Sequence, residues 1–147
     1  MMDRFTRHLV AVLTNCITAD GCARILFEHW IVQYGCPEVI VTDQGRQFES
    51  AVFDQVCQAM GMEKRRTCAY HPQSNGLVER AHQELKKLMR CLLVPVAEAT
   101  GHDWESVLPH TLMAYNTTIN DTGCSPKQLL FATDMVLSAG STPRVRV

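Results

Sequence analysis

The chain has 147 residues, 46% of them hydrophobic and 20% charged, with a formal net charge of −1. That length suits one globular domain with its own core and argues against a second. The near-neutral charge excludes a uniformly basic nucleic-acid binder, so any surface for phosphate has to be a local patch.

Seven cysteines, an odd number with no Cys-x-x-Cys pair, suit a reducing compartment, where most are expected as small buried apolar residues. The apolar stretches are far shorter than a membrane span and no charged-then-apolar leader precedes them. The expectation is a soluble intracellular protein, nuclear or cytoplasmic, without membrane contact. A domain over 1–137 and a loosely ordered tail over 138–147 are expected.

In chain order, His8 to Leu13 (HLVAVL) reads as a strand. Thr18 offers an N-cap to a helix carrying Cys22, Ala23, Leu26, Phe27, Trp30 and Ile31 on one side, stopped by Gly35 and Pro37. Val39 to Thr42 is the next strand, buried and parallel to its neighbours. Its carboxyl end carries Asp43 in VTDQGRQFES, the place where open α/β sheets put their chemistry. A short helix follows around Ala51 to Met60, with Val52, Phe53, Val56 and Ala59 at helical spacing and Gly61 closing it. Glu63 to Cys68 (EKRRTC) is a strand charged enough for an edge. Lys64, Arg65 and Arg66 in it are either a solvated edge or a phosphate contact.

The stretch AYHPQSNGLVERAHQELKKLMRCLL is the most informative. His71 to Gly76 form a turn-rich loop in which Ser74 or Asn75 can cap a helix beginning near Leu77. Leu77, Ala81, Leu85, Leu88 and Leu92 make a core stripe. Glu79, Gln83, Lys86 and Arg90 make a polar stripe, which alone would be an ordinary solvated face with Glu at the positive helix end. His71 can brace its loop or meet DNA near an active site. Lys86 and Lys87, on the helix that carries Glu79, are the basic residues best placed for phosphate.

The interval between the two acids changes that weighting. Thirty-five residues lie between Asp43 and Glu79, room for a helix and an edge strand to return the second acid beside the first. Two carboxylates so placed repel unless a cation lies between them, and such hard oxygens suit magnesium or manganese. Two-metal phosphoryl transfer uses a cluster of this kind.

The stretches DRFTRH, YGCPEVIVTDQGRQFES, AYHPQSNGLVERAHQELKKLMR, WESVLPHTLMAYNTT and TGCSPKQLLF, in that order, resemble the catalytic core of retroviral and gypsy-type retrotransposon integrases, in the RNase H-like superfamily. The resemblance implies an α/β fold with a mixed sheet flanked by helices, and Mg or Mn as cofactor. It implies DNA, both element ends and target, as partner, and pairing as a homodimer. Asp43 and Glu79 correspond to the second and third acids of the catalytic triad, and Gln83 and Lys86 to positions that meet donor DNA. Arg90 shares their face.

The first catalytic acid of such relatives sits on a strand preceding the DRFT-like segment. With only Met1 and Met2 ahead of Asp3, the first strand is expected to be missing and the second reduced. Asp3 is then a turn or capping acid. HLVAVL is left either to pair directly with the Val39–Thr42 strand or to leave a gap.

Farther on, Asp103 can cap a helix from Trp104 with Leu108, Leu112 and Tyr115 buried, which Pro109 can kink or interrupt. A short helix starts at Ser125-Pro126, and Ala132 stands where relatives carry Gly after Leu-Phe. Two functions fit: DNA integration by metal-dependent phosphoryl transfer, comprising 3′-end cleavage and strand transfer, or a domesticated, catalytically idle DNA-binding or oligomerisation module.

Overall fold

The computed structural model describes residues 1–67, 72–100 and 104–132. They fall into two compact units, one of Met1 with Val10–Gln83, the other of Met2–Leu9 with the chain from Glu84 onward. The expected tail, Asp103 and His71 lie outside the described residues.

In the first unit, α1 (Ala19–Leu26) starts where Thr18, in extended conformation, accepts the Gly21 N–H on its hydroxyl. The helix continues as a π-helical turn (Phe27–Ile31) and ends in α2 (Val32–Tyr34). The wider turn breaks the three-and-four spacing. Trp30 and Ile31 stay against the core, whereas Phe27, expected beside them, is exposed. Gly35 ends the run at φ 86°, a conformation costly for any side chain.

Strand β1 (Val39–Thr42) pairs in parallel with β2 (Glu63–Arg66), Val39 opposite Glu63 and Thr42 opposite Arg66. Between them runs α3 (Ala51–Ala59), capped by Ser50, whose hydroxyl accepts the Phe53 N–H. Ala23, Leu26, Phe53, Cys57 and Met62 form the core of this unit, with Ile40, Phe48 and Val56 packed against it.

The structure corrects several expectations. β1 is buried on one face only: Ile40 and Thr42 point inward, while Val39 and Val41 are exposed, because the core that α1 and α3 share with it lies on one side. On α3 the buried pair is Phe53 and Cys57, one helical turn apart, and Val52 is exposed. Among the described residues the regular sheet is a two-stranded parallel one, and antiparallel pairing is the isolated bridge Met2↔Leu9.

HLVAVL forms no strand and does not pair with β1. Residues 1–10 fold back as a hairpin, with Asp3 N–H donating to His8 O and Val10 N–H to Met1 O. Leu9 is held by a side chain: its N–H donates to Asn116 Oδ1 and its C=O accepts from Asn116 Nδ2, each at 2.9 Å. The amide group thus occupies the place a neighbouring strand would take.

Helix α4 (Pro72–Thr100) begins five residues before Leu77, where its start was expected. Proline needs no partner for a backbone N–H in the first turn, so Pro72 can open the helix and Ser74, Asn75 and Gly76 become part of it. Ala81 and Leu85 are buried and Leu77, Leu88 and Leu92 half-buried, as the stripe predicts.

Helix α5 (Trp104–Thr117) passes through Pro109 uninterrupted. Its buried residues are Val107, Leu108, Thr111 and Asn116, with Leu112 and Tyr115 half-buried. Thr111 is tolerated inside because its hydroxyl donates to Val107 O at 2.9 Å. Helix α6 (Pro126–Phe131) opens with a reciprocal cap between Ser125 and Gln128. It closes on Ala132 at φ 53°, keeping the left-handed turn at a steric cost that glycine would avoid.

The six described cysteines, 16, 22, 36, 57, 91 and 124, are all thiols, and Cys57 alone among them is buried. The Thr18 hydroxyl, 3.1 Å from Cys16 Sγ, and the Thr18 backbone hold the exposed Cys16 thiol below its ordinary pKa, while burial pushes Cys22 and Cys57 up. A lower pKa means more thiolate at a given pH. Iodoacetamide near neutral pH is therefore expected to label Cys16 ahead of Cys22 and Cys57 in a peptide-mass time course. The opposite order would show that Thr18 does not hold the thiolate in solution.

Candidate active site and nucleic-acid face

Asp43 follows β1 directly and is exposed. Its Oδ1 accepts the Gly45 N–H at 3.0 Å, closing a tight turn. A methyl group on Gly45 would stand 3.0 Å from that same oxygen and 2.5 Å from Gln47 Nε2, the end of a side chain that can turn away. Beyond it, Gln44 Nε2 donates to Thr67 O at 3.2 Å, and Thr67 N–H to Thr42 O at 3.0 Å. Asp43 therefore stands at the carboxyl end of β1, beside the carboxyl end of β2. Thr42 contributes a buried hydroxyl whose oxygen has no hydrogen-bond partner among the described residues.

Glu79, Gln83, Lys86 and Arg90 lie at steps of four, three and four on α4, all exposed, away from the buried Ala81 and Leu85. Lys87 is exposed as well, about 100° around the helix from Lys86. None of the cations Lys86, Lys87 and Arg90 forms a salt bridge with a described acid.

The basic run on β2 is different. Lys64 Nζ meets Asp54 Oδ1 at 2.7 Å, Arg65 holds Glu63 at 2.8 Å, and Arg66 Nη2 reaches Glu49 Oε2 at 2.7 Å. Each cation of β2 has its own carboxylate, whereas Lys86, Lys87 and Arg90 on α4 have none among the described acids. Sequence reasoning left both roles open for this run. The signal it lacked was the acid spacing around it, with Glu49 ahead of α3 and Asp54 in its first turn.

Asp3 is taken up in a local turn. Its Oδ2 accepts both the backbone N–H and the hydroxyl of Thr6, each at 2.7 Å, as a turn acid does. Among the described residues no three His, Cys, Asp or Glu side chains gather to hold a metal ion. Asp43 and Glu79 offer hard carboxylate oxygens, which magnesium and manganese take in preference to nitrogen or sulfur, so the donor chemistry fits such an ion. No helix among the described residues is long and apolar enough to cross a membrane.

A family model described as the TnsB C-terminal domain matches residues 2–93. The Gag-Pol polyprotein of Avian reticuloendotheliosis virus is 32% identical over 131 residues, covering 89% of this chain and 11% of the polyprotein. The Pol polyprotein of Radiation murine leukemia virus (strain Kaplan) is 33% identical over 131 residues, covering 88% and 22%. The chain thus spans less than a quarter of the length of each of these relatives.

Among solved structures, a chain of the simian T-cell lymphotropic virus intasome in complex with PP2A regulatory subunit B56 gamma superposes with TM-score 0.76 and 23% identity, over 99% of this chain and 48% of that one. The HTLV-2 integrase catalytic core domain in complex with magnesium, in its trimeric form, gives 0.72 and 20%, over 88% and 80%. The BIV integrase core gives 0.72 and 22%, over 89% and 82%. The fold these share is the RNase H-like fold of integrase cores. The chain belongs to the family of the TnsB C-terminal domain, as an integrase catalytic-core-like domain.

Proposed function

We propose that this domain engages DNA through the exposed face of α4 and serves metal-dependent phosphoryl transfer in DNA integration, namely 3′-end cleavage and strand transfer. One observation carries this: Lys86, Lys87 and Arg90 stay clear of described acids on the helix that bears Glu79, whereas the cations of β2 are each paired. Asp43 and Glu79 would hold Mg or Mn. Bound there, the ion supplies Lewis-acid activation of a phosphodiester and neutralises charge developing on its oxygens.

The chain's own residues do the rest. The Gly45 N–H donates to Asp43 Oδ1, and Oδ2 would be the oxygen that ligates. Gln83, one turn beyond Glu79, can both donate to and accept from a nucleotide. Lys86, Lys87 and Arg90 bind successive phosphates and fix the strand along α4. The dimeric and trimeric forms of the HTLV-2 core support self-association as the partner class beside DNA. His71 is proposed to brace its loop or reach that DNA.

A second reading, a DNA-binding or oligomerisation module without catalysis, draws on the engagement of Asp3 with Thr6, which leaves that acid committed to a turn. Both readings share the DNA face. Changing Lys86 and Arg90 together to Ala is expected to weaken binding to duplex DNA and flatten its salt dependence by about one unit of slope for each phosphate no longer neutralised. The matched control is Arg65 and Arg66 to Ala, which removes the same charge from paired positions. Equal losses in the two proteins would show that α4 is not the DNA face.

A further inference from the structure

Lys64 is placed unlike its neighbours. Arg65 and Arg66 are more than half exposed, but the Lys64 side chain is only 10% exposed. Its ammonium group donates to the Phe48 carbonyl and to Asp54 Oδ1, and lies 5.9 Å from the centre of the Phe53 ring. From Phe48 the hydrogen bonds continue toward Asp43. The Phe48 N–H donates to Gly45 O at 2.9 Å, the Glu49 N–H donates to the same oxygen at 3.1 Å, and the Gly45 N–H donates to Asp43 Oδ1. A fixed charge inside β2 thus holds the far end of the loop whose near end carries the candidate metal ligand.

We infer that Lys64 is a positioning residue for Asp43, setting the direction of its carboxylate through the Phe48–Gly45 turn. The inference rests on the proposed role of Asp43 as a ligand, but its structural half stands without it. Hydrogen bonds to a carbonyl and a carboxylate from one ammonium fix the loop in two directions, toward β2 and toward α3. An apolar side chain of the same length would fill the space and leave the Phe48 carbonyl without its donor. The loop could then drift while the core beneath it stayed packed. Groups that orient a metal's ligands commonly matter about as much as this, with tenfold or larger losses in affinity when they are removed.

The test compares wild type with Lys64→Met, Lys64→Arg and Asp54→Asn. The readout is the Gly45 response, the protection of its amide against hydrogen exchange, which reports the hydrogen bond to Asp43 Oδ1. Lys64→Met is expected to lower the amplitude of that response at least by half and to weaken Mn²⁺ binding, read from paramagnetic broadening, by roughly tenfold. Lys64→Arg keeps a charged donor and should retain most of both. Asp54→Asn, at a side chain 45% exposed, is the milder variant and should move both readouts the same way by less.

A merely structural Lys64 would lower the unfolding midpoint and leave the Gly45 response of the folded protein intact. An unchanged Gly45 response in folded Lys64→Met, or in Asp54→Asn if the first does not fold, overturns the inference. If the response falls while wild type itself binds no Mn²⁺, the positioning role is upheld and the metal reading fails.

Discussion

Phe53→Ala is expected to lower the free energy of unfolding by about 3–5 kcal/mol, measured as a shift in urea midpoint. The ring is 1% exposed and packs edge-on against Phe48, centroids 5.2 Å apart. It also lies under the Lys64 ammonium and within the cluster of Ala23, Leu26, Cys57 and Met62. Its removal therefore loosens α1, α3 and the Asp43 loop at once. A domain of this kind has about 5–15 kcal/mol in total, so the variant should be poorly folded at physiological temperature. Phe53→Leu, which retains most of the volume, should lose far less. A loss below about 1 kcal/mol for the Ala protein would mean that the surrounding side chains collapse into the vacated space.

The second large effect is on metal binding. Asp43→Asn and Glu79→Gln are each expected to cut Mn²⁺ affinity at least about tenfold, the equivalent of roughly 1.4 kcal/mol or more. The double variant should be little worse than either single one. Such non-additivity is the mark of two groups serving one ion, and it requires the carboxylates to approach within roughly 4–8 Å, the span an ion bridges in such sites. Independent effects that sum, or no effect from Glu79→Gln, would show that the two acids do not share a cation and would remove the catalytic reading while leaving the DNA face in place.

Local chemistry makes much of this fold legible in the sequence. Thr18 and Ser125 are short oxygen-bearing side chains at the expected helix starts, and each caps the helix that follows it. The α4 stripes follow from helical geometry alone. Parallel pairing of β1 and β2 follows from the helix between them. What the sequence hides is mainly a matter of partners. HLVAVL has the composition of a strand, but a strand is a relation between two segments, and Asn116 supplies by side chain what the pattern assigns to backbone. The π-helical turn escapes because one extra residue per turn leaves composition unchanged while rotating Phe27 outward. The run Lys64–Arg66 is ambiguous because charge alone does not say which acid lies opposite. Of the site, the positions of Asp43 and Glu79 on their elements are readable from spacing; the lacing of the Asp43 loop to β2 is not.

The Asn116 clip has a consequence for how the chain is made. Leu9 and the amide that holds it are 107 residues apart, and a ribosome adds about 5–20 residues per second. For roughly 5–20 seconds the nascent amino-terminal segment therefore exists without the group that completes its backbone hydrogen bonds. During that interval an apolar stretch, HLVAVL, is free to pair with any exposed strand it meets. Slowing translation between residues 10 and 116 should thus increase aggregation of newly made protein, and an added holdase chaperone should suppress it, with no change in the stability of the finished fold.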